Sequence, residues 1–595
     1  MNDNSNVGLV ETRTIDIPLK EEFKLRKGGA LAKLTVAYEA YGELSDAKDN
    51  VVYICTALTG DAHAAGYHDE SDKKPGWWDQ MIGPGKGIDT NYYYVVCANI
   101  LGGCVGTTGP CSINPETGEQ YGSTFPEITV SDIVNVQKLF LETLGIERLA
   151  AVIGGSFGGM QALEWSVRYP DSVDRVICIA AGYSLTAQAL AFDVVARDAI
   201  VSDPNWLGGD YHKSGKKPEW GLSHARKIGH ITYLSPELMQ SKFGREKTGE
   251  HKDGEDDQFQ VESYLNYQGQ KLVDRFDANS YLALTKALDT FDLAEEYGTV
   301  VKAFEKANAK YLVVALSSDW LFPPEQSREL ADALLTAGCD VSSCTLEAPY
   351  GHDTFLIDIE YLAETVRAFL PWVGSTKKPE DHQPDKREYR IIEDTVKSGS
   401  KVLDLGCGDG TLLKLLRKNK NAKGLGFDRE LLNVIEVVNK GGNAIQANLD
   451  DGLAALPDGA YDYAILSSTL QQVRKPKLVL KEMVRVAKEG IVTFPNFSYW
   501  KNRAALGLSG RMPRSEALPF EWYETPNIHL ATRLDFIELC KKEGIQILEM
   551  YCLSGKDAFG GLFKALNLKD LGSIKIVARI TQGSSEQPAY QCKWR

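Results

Sequence analysis

Three residues able to carry out acyl transfer stand far apart in this chain, in the order nucleophile, acid, base: Ser156, Asp319 and His352. Ser156 sits in Gly154-Gly155-Ser156-Phe157-Gly158-Gly159, directly after the apolar run Leu149-Ala150-Ala151-Val152-Ile153. That run reads as a buried parallel strand, and Met160, Leu163 and Val167 recur behind the serine at helical spacing until Pro170. A serine on so sharp a strand-to-helix turn is held strained with its hydroxyl exposed, and the flanking glycines let neighbouring chain approach it. A bare G-x-S-x-G also arises by chance in glycine-rich turns, so the partners decide the reading. Asp319 follows the strand-like Tyr311-Leu312-Val313-Val314-Ala315-Leu316, and His352 lies in Ala348-Pro349-Tyr350-Gly351-His352-Asp353, after one more helix and strand. A serine activated by an imidazole that a carboxylate orients is a nucleophile for covalent acyl transfer.

The tetrahedral intermediate of such a reaction needs backbone donors for its oxyanion. In sheets with this elbow, one comes from the residue after the nucleophile and the other from the loop after an earlier strand. Phe157 is the first; Leu58, in Thr56-Ala57-Leu58-Thr59-Gly60-Asp61 behind the buried run Val51-Val52-Tyr53-Ile54-Cys55, is the second. The loop Leu101-Gly102-Gly103-Cys104-Val105-Gly106-Thr107-Thr108-Gly109-Pro110 is expected to line the pocket. Arg226 and Tyr233 lie seven residues apart, about two helical turns, and so share one face. An arginine there suits a substrate carboxylate bidentately; a surface ion pair is the alternative.

These residues need a sheet to hold them. Residues 1–50 alternate apolar and polar positions as an antiparallel meander does, and from Val51 onward strands and helices alternate as in a doubly wound parallel sheet, an α/β fold. Residues 184 to about 300 break that rhythm with helical patterns and the charged stretch Lys247 to Asp257, which reads as an inserted helical lid. With 595 residues, more than one core is expected. Charged, proline-punctuated residues 374–388 form a linker between domains at 1–373 and 389–595. The hydrophobic and charged fractions, 43% and 25%, are ordinary for a soluble protein, and a net charge of −15 opposes binding to nucleic acid or anionic lipid. The first residues lack a signal peptide's pattern and no run is long enough to span a bilayer, so a cytoplasmic protein is expected. Eleven cysteines without C-x-x-C pairing read as reduced core residues, and no metal is expected.

Residues 1 to about 373 resemble the homoserine O-acetyltransferase (MetX) family. The likeness rests on Ala57-Leu58-Thr59-Gly60-Asp61, Ile113-Asn114-Pro115, Gly155-Ser156-Phe157-Gly158-Gly159-Met160-Gln161-Ala162-Leu163-Glu164-Trp165 and Gly351-His352-Asp353. It implies an α/β-hydrolase fold, the triad Ser156, Asp319 and His352, Arg226 at the homoserine carboxylate, and Asp353 at its amino group; Tyr233, on the Arg226 face, is expected among the substrate contacts. It also implies a homodimer using acetyl-coenzyme A as co-substrate, with no cofactor needed for acyl transfer. Thr56 departs from the family, which commonly has histidine there. A succinyl donor would bring a carboxylate that needs a cation in the acyl pocket. Family members resembling succinyltransferases tend to have arginine at the position of Leu321 and asparagine at that of Val105, so an acetyl donor is expected; a succinyltransferase and a serine esterase are the alternatives.

Beyond the linker, Lys401-Val402-Leu403-Asp404-Leu405-Gly406-Cys407-Gly408-Asp409-Gly410-Thr411 runs from strand through a glycine loop into a helix, and Asp428 closes the next strand. Glycines allow close approach of a ligand, and an acid so placed accepts ribose hydroxyls. This spacing resembles class I S-adenosylmethionine-dependent methyltransferases, a Rossmann-like fold, and more closely the methionine-biosynthesis protein family MetW. That likeness rests on Ile465-Leu466-Ser467-Ser468-Thr469-Leu470-Gln471, Phe494-Pro495-Asn496-Phe497 and Trp522-Tyr523-Glu524-Thr525-Pro526-Asn527-Ile528-His529-Leu530. It implies S-adenosylmethionine at Asp404, Gly406, Gly408, Gly410 and Asp428, although Asn448 stands where the family usually has aspartate. A regulatory or binding module without catalysis is the rival reading. Pro495-Asn496-Phe497 reads either as a methyl-acceptor site or as a plain strand-ending turn.

Overall fold

The buried run before Ser156 becomes the strand Ala151–Gly155, all five of its residues buried, and the segment behind the serine becomes the helix Phe157–Arg168. The computed structural model describes residues 6–248, 258–370, 387–555, 558–583 and 590–595. It divides into two compact units, Met1–Thr376 and Lys377–Arg595.

In the first unit the elbow strand lies inside a mixed sheet. Its order is Arg13–Asp16, Thr35–Tyr41, Tyr94–Ala98, Val51–Cys55, Ala151–Gly155, Arg175–Ile179, Lys310–Leu316, Asp340–Leu346. Thr35–Tyr41 runs antiparallel to both its neighbours, and from Tyr94–Ala98 onward the strands are parallel, as the opening alternation and the later apolar runs predict. The helices Ala187–Val201, Glu219–Tyr233, Pro236–Phe243, Gln260–Val273 and Ala278–Asp289 interrupt the sheet between Arg175–Ile179 and Lys310–Leu316, which is the expected lid. Most of the charged stretch read within it, residues 249–257, lies outside the described residues.

In the second unit the order is Asn443–Gln446, Lys423–Asp428, Lys401–Leu405, Tyr461–Ser467, Ala487–Pro495, Ser573–Gln582, Ile545–Ser554, Gln591–Trp594. The strands are parallel through Ala487–Pro495, and Ser573–Gln582 runs against both neighbours. Chain order therefore reverses between Lys401–Leu405 and Tyr461–Ser467. Such a switch point opens a crevice at the carboxyl ends of the strands, where ligands bind in doubly wound sheets. The linker read from the sequence falls almost wholly outside the described residues.

Among the described residues, no helix is long and apolar enough to cross a membrane. All eleven cysteines are free thiols, but Cys104, Cys111, Cys339 and Cys592 are only half-buried, which corrects the expectation of core cysteines throughout. The first two lie in or just behind the glycine-rich loop, and both line a cavity there.

Candidate active site

Ser156 has φ 57° and ψ −126°, a strained conformation for a residue with a side chain, and it is only half-buried. The turn closes because no side chain stands at Gly158, where a Cβ would lie 2.2 Å from the Cys55 carbonyl oxygen. Ser156 N donates to Ile179 O at 2.9 Å and pins the elbow to the neighbouring strand.

Asp319 and His352 meet as the chain order predicts. His352 Nδ1 lies 2.6 Å from Asp319 Oδ2, and both residues are 3% exposed. The other carboxylate oxygen accepts the Leu321 and Phe322 amides, each at 2.9 Å, so the acid is held rigidly at its strand end. Burial alone would lower the His352 pKa; the Asp319 charge and hydrogen bond outweigh it, and the pKa lies above the ordinary imidazole value. The elbow reaches this pair through Phe355, whose ring packs on the Gly155 backbone and edge-on to His352 at 5.7 Å between centroids. No hydrogen bond joins Ser156 Oγ to His352; unliganded acyl-transfer sites commonly tighten that contact only with substrate.

The Leu58 and Phe157 amides donate to no acceptor among the described residues, and Phe157 opens a helix whose N-terminus favours negative charge. Beneath that loop, Gln161 Nε2 holds the Thr56 carbonyl at 3.1 Å, while the Thr56 hydroxyl is buried without a partner. The substitution seen at Thr56 thus leaves the loop's backbone tied and only its side chain unsatisfied.

Arg226 stands over the Tyr233 ring at 5.5 Å on the lid helix Glu219–Tyr233, and its Nη1 donates to Thr59 Oγ1 at 3.3 Å. Tyr233 lies 6.0 Å from the His352 ring, centroid to centroid, so the lid face read from the sequence points at the triad. Burial raises the Asp353 carboxyl above its usual range, with His352 and Arg226 pulling it down. His230, on the same helix, is pushed down to about 3 by burial and by Arg226, which makes it a neutral packing residue. Sequence reading missed Arg275. Its guanidinium donates to Thr59 O at 2.9 Å, and burial followed by Arg226 lowers its pKa, so two cations flank the loop that carries Leu58. The contact spans 216 positions of sequence, and no local pattern around Arg275 announces it.

In the second unit, Asp404, Gly406, Gly408 and Asp428 line a cavity of about 340 Å³ at the switch point, whereas Gly410 sits behind it as the left-handed residue before the helix Thr411–Lys420. Asp404 is 1% exposed; burial and the Asp428 charge raise it to about 7, and its Oδ1 has no hydrogen-bond partner. Asp428 accepts Gly408 N at 2.9 Å, and Glu430 N and Asn433 Nδ2 at 3.0 Å each, so much of its capacity already orders the loop. A Cβ at Gly408 would meet nothing, which leaves that backbone open to a ligand. Asn448 also lines the cavity, with its Oδ1 engaged by Asp450 N at 3.1 Å. Asn496 is buried, and its amide donates to Asp570 O and Ser573 O at 3.0 and 2.9 Å. Those bonds make it a clamp ending its strand, which favours the turn over the methyl-acceptor reading.

Comparisons with known proteins recognise both units. The family model described as methionine biosynthesis protein MetW matches residues 386–569, and that of the alpha/beta hydrolase fold matches residues 50–358. A bifunctional methionine biosynthesis protein MetXA/MetW of Rhodopirellula baltica is 40% identical, with 92% of each chain covered. A homoserine O-acetyltransferase of Solidesulfovibrio magneticus is 51% identical over 62% of this chain and 94% of its own. A homoserine O-succinyltransferase of Halothiobacillus neapolitanus is 49% identical over 63% and 93%. Among solved structures, homoserine O-acetyltransferase from Bacillus anthracis superposes with a TM-score of 0.57 at 30% identity, covering 62% of this chain and 99% of that one. With a relative matched along nearly its whole length and both halves recognised separately, the chain belongs to the bifunctional MetXA/MetW methionine biosynthesis proteins.

Proposed function

We propose that the first unit is a homoserine O-acetyltransferase working through an acetyl-serine. The buried Asp319–His352 pair beside a strained serine is the observation that carries this reading. His352 Nε2 takes the Ser156 proton as Oγ attacks the thioester carbonyl carbon; the oxyanion is held by the Leu58 and Phe157 amides. The carbon–sulfur bond breaks, and the coenzyme A thiolate takes the proton back from His352. The side-chain hydroxyl of homoserine then gives its proton to His352 and attacks the ester. The bond to Ser156 Oγ breaks, and the serine recovers the proton. Arg226 receives the homoserine carboxylate and Asp353 its amino group, while the lid keeps water from the acyl-enzyme. Acetyl is favoured because neither Leu321 nor Val105 supplies a partner for a succinyl carboxylate. The test is a mass-resolved assay of the full chain with homoserine and each acyl-coenzyme A. O-acetylhomoserine as chief product supports the reading, and O-succinylhomoserine as chief product or bare hydrolysis opposes it.

The second unit binds S-adenosylmethionine in this reading, and its residues fit that ligand. The unpartnered Asp404 oxygen suits the amino group, the open Gly408 backbone allows close approach, and the remaining capacity of Asp428 suits ribose hydroxyls. When bound, the ligand supplies an electrophilic methyl group; this chain's residues hold and orient it. A homodimer is part of the same reading, supported by Val194, Val195 and Val201, all exposed on one lid helix. Light scattering on the full chain tests that state.

A further inference from the structure

Apart from the triad, three residues with metal-ligating atoms converge beside the cavity behind the glycine-rich loop, of about 310 Å³: Cys111, His212 and Asp277. A sulfur, a ring nitrogen and a carboxylate oxygen there lie within 4.8 Å of one another. His212 Nε2 is buried and makes no hydrogen bond, although Asp277 Oδ1 is 3.4 Å away. Asp277 is itself fixed from behind. The Tyr211 hydroxyl donates to its Oδ1, and Ser280 N donates to its Oδ2 at 2.8 Å, as Asp277 caps the helix Ala278–Asp289. The Tyr211 hydroxyl oxygen in turn accepts Asn279 N at 3.1 Å. A ligand carboxylate oriented by a further layer of hydrogen bonds is the arrangement that metal sites use.

The donor set chooses the cation. One thiolate, one imidazole and one carboxylate suit a borderline-soft ion of tetrahedral habit and leave one position open. Cys104 lines the same cavity, so a second thiol or a water can take that position. A rival cluster, Glu39 with His63 and His68, lacks this character. Its carboxylate already accepts from Thr12, Tyr41 and both imidazoles, so the carboxylate is fully engaged by the protein.

We propose that Cys111, His212 and Asp277 form a binding site for a zinc-class divalent cation that ties the segment behind the glycine-rich loop to two pieces of the lid. His212 comes from the short turn Tyr211–Ser214 and Asp277 from the start of a lid helix. Binding forms one metal–sulfur bond and releases the Cys111 proton to solvent, with no change of oxidation state. The site stands two residues from Arg275, which holds the Thr59 carbonyl, so an occupied site also steadies the loop carrying Leu58.

The experiment uses the full chain, stripped with a chelator, dialysed against zinc and then against metal-free buffer, with metal content measured per chain. About one equivalent is expected to remain in the wild type, and less than a tenth in Cys111→Ser and His212→Gln, both melting like the wild type without metal. Cobalt(II) in place of zinc gives a thiolate-to-metal charge-transfer band that Cys111→Ser removes. No retained metal in the wild type, equal retention in Cys111→Ser, or loss through His63→Ala instead would overturn the assignment.

Discussion

His352 Nδ1 and Asp319 Oδ2 are 2.6 Å apart in a nearly water-free setting, and the carboxylate's other oxygen is fixed by two backbone amides. Burial opposes a charged imidazole and Asp319 favours it, with the second effect larger. As the general base, His352 must be neutral. Activity therefore rises with pH through a pKa above the ordinary imidazole value of about 6.5. Rate against pH at limiting homoserine checks this, and Asp319→Asn is expected to lower kcat on the order of 10³–10⁴-fold by fixing the wrong tautomer.

In the proposed reading Arg226 meets homoserine alone, so Arg226→Ala removes a charge-assisted hydrogen-bonding partner from one substrate only. The expected result is a roughly tenfold to hundredfold rise in the Michaelis constant for homoserine, with that for acetyl-coenzyme A little changed. Equal rises for both substrates mark a structural arginine. Arg275→Ala separates from it, because Arg275 touches the Thr59 carbonyl and so affects the oxyanion loop and kcat.

Gly158→Ala puts a Cβ 2.2 Å from the Cys55 carbonyl oxygen. Backbone on both sides must move, so a loss of about 1–3 kcal/mol and of activity is expected in denaturant titration.

Asp404 tests the second unit. Its folded pKa, raised to about 7, lies above the usual carboxylate value, so the folded state binds the proton more tightly than the unfolded one. Stability is full below pH 4 and falls as pH rises toward 7. Asp404→Asn is therefore expected to raise the melting temperature of this unit at pH 8 and hardly at pH 4. Calorimetry on the full chain is expected to show S-adenosylmethionine binding in the wild type and none in Asp404→Asn.

The elbow, the order of the triad and the glycine loop at Asp404 could be read from sequence because each is local: a glycine whose absent Cβ permits a crossing, or an acid at a strand end. What sequence concealed is long-range. Arg275 meets Thr59 from another part of the lid, Phe355 links the elbow to His352 by packing, and Asn496 shows itself a clamp only through bonds to Asp570 and Ser573. Sequence does not distinguish the half-buried Cys104 and Cys111 from core cysteines, because flanking residues do not reveal a cavity beside an irregular loop.

The central claim is that Ser156 carries the acyl group. Full-length protein mixed with acetyl-coenzyme A alone is quenched in acid, weighed intact and mapped by peptide. One acetyl increment on Ser156 is predicted, absent in Ser156→Ala and discharged by homoserine as O-acetylhomoserine faster than by water. An increment that survives Ser156→Ala, or product formed with no increment at any time after mixing, would contradict the account.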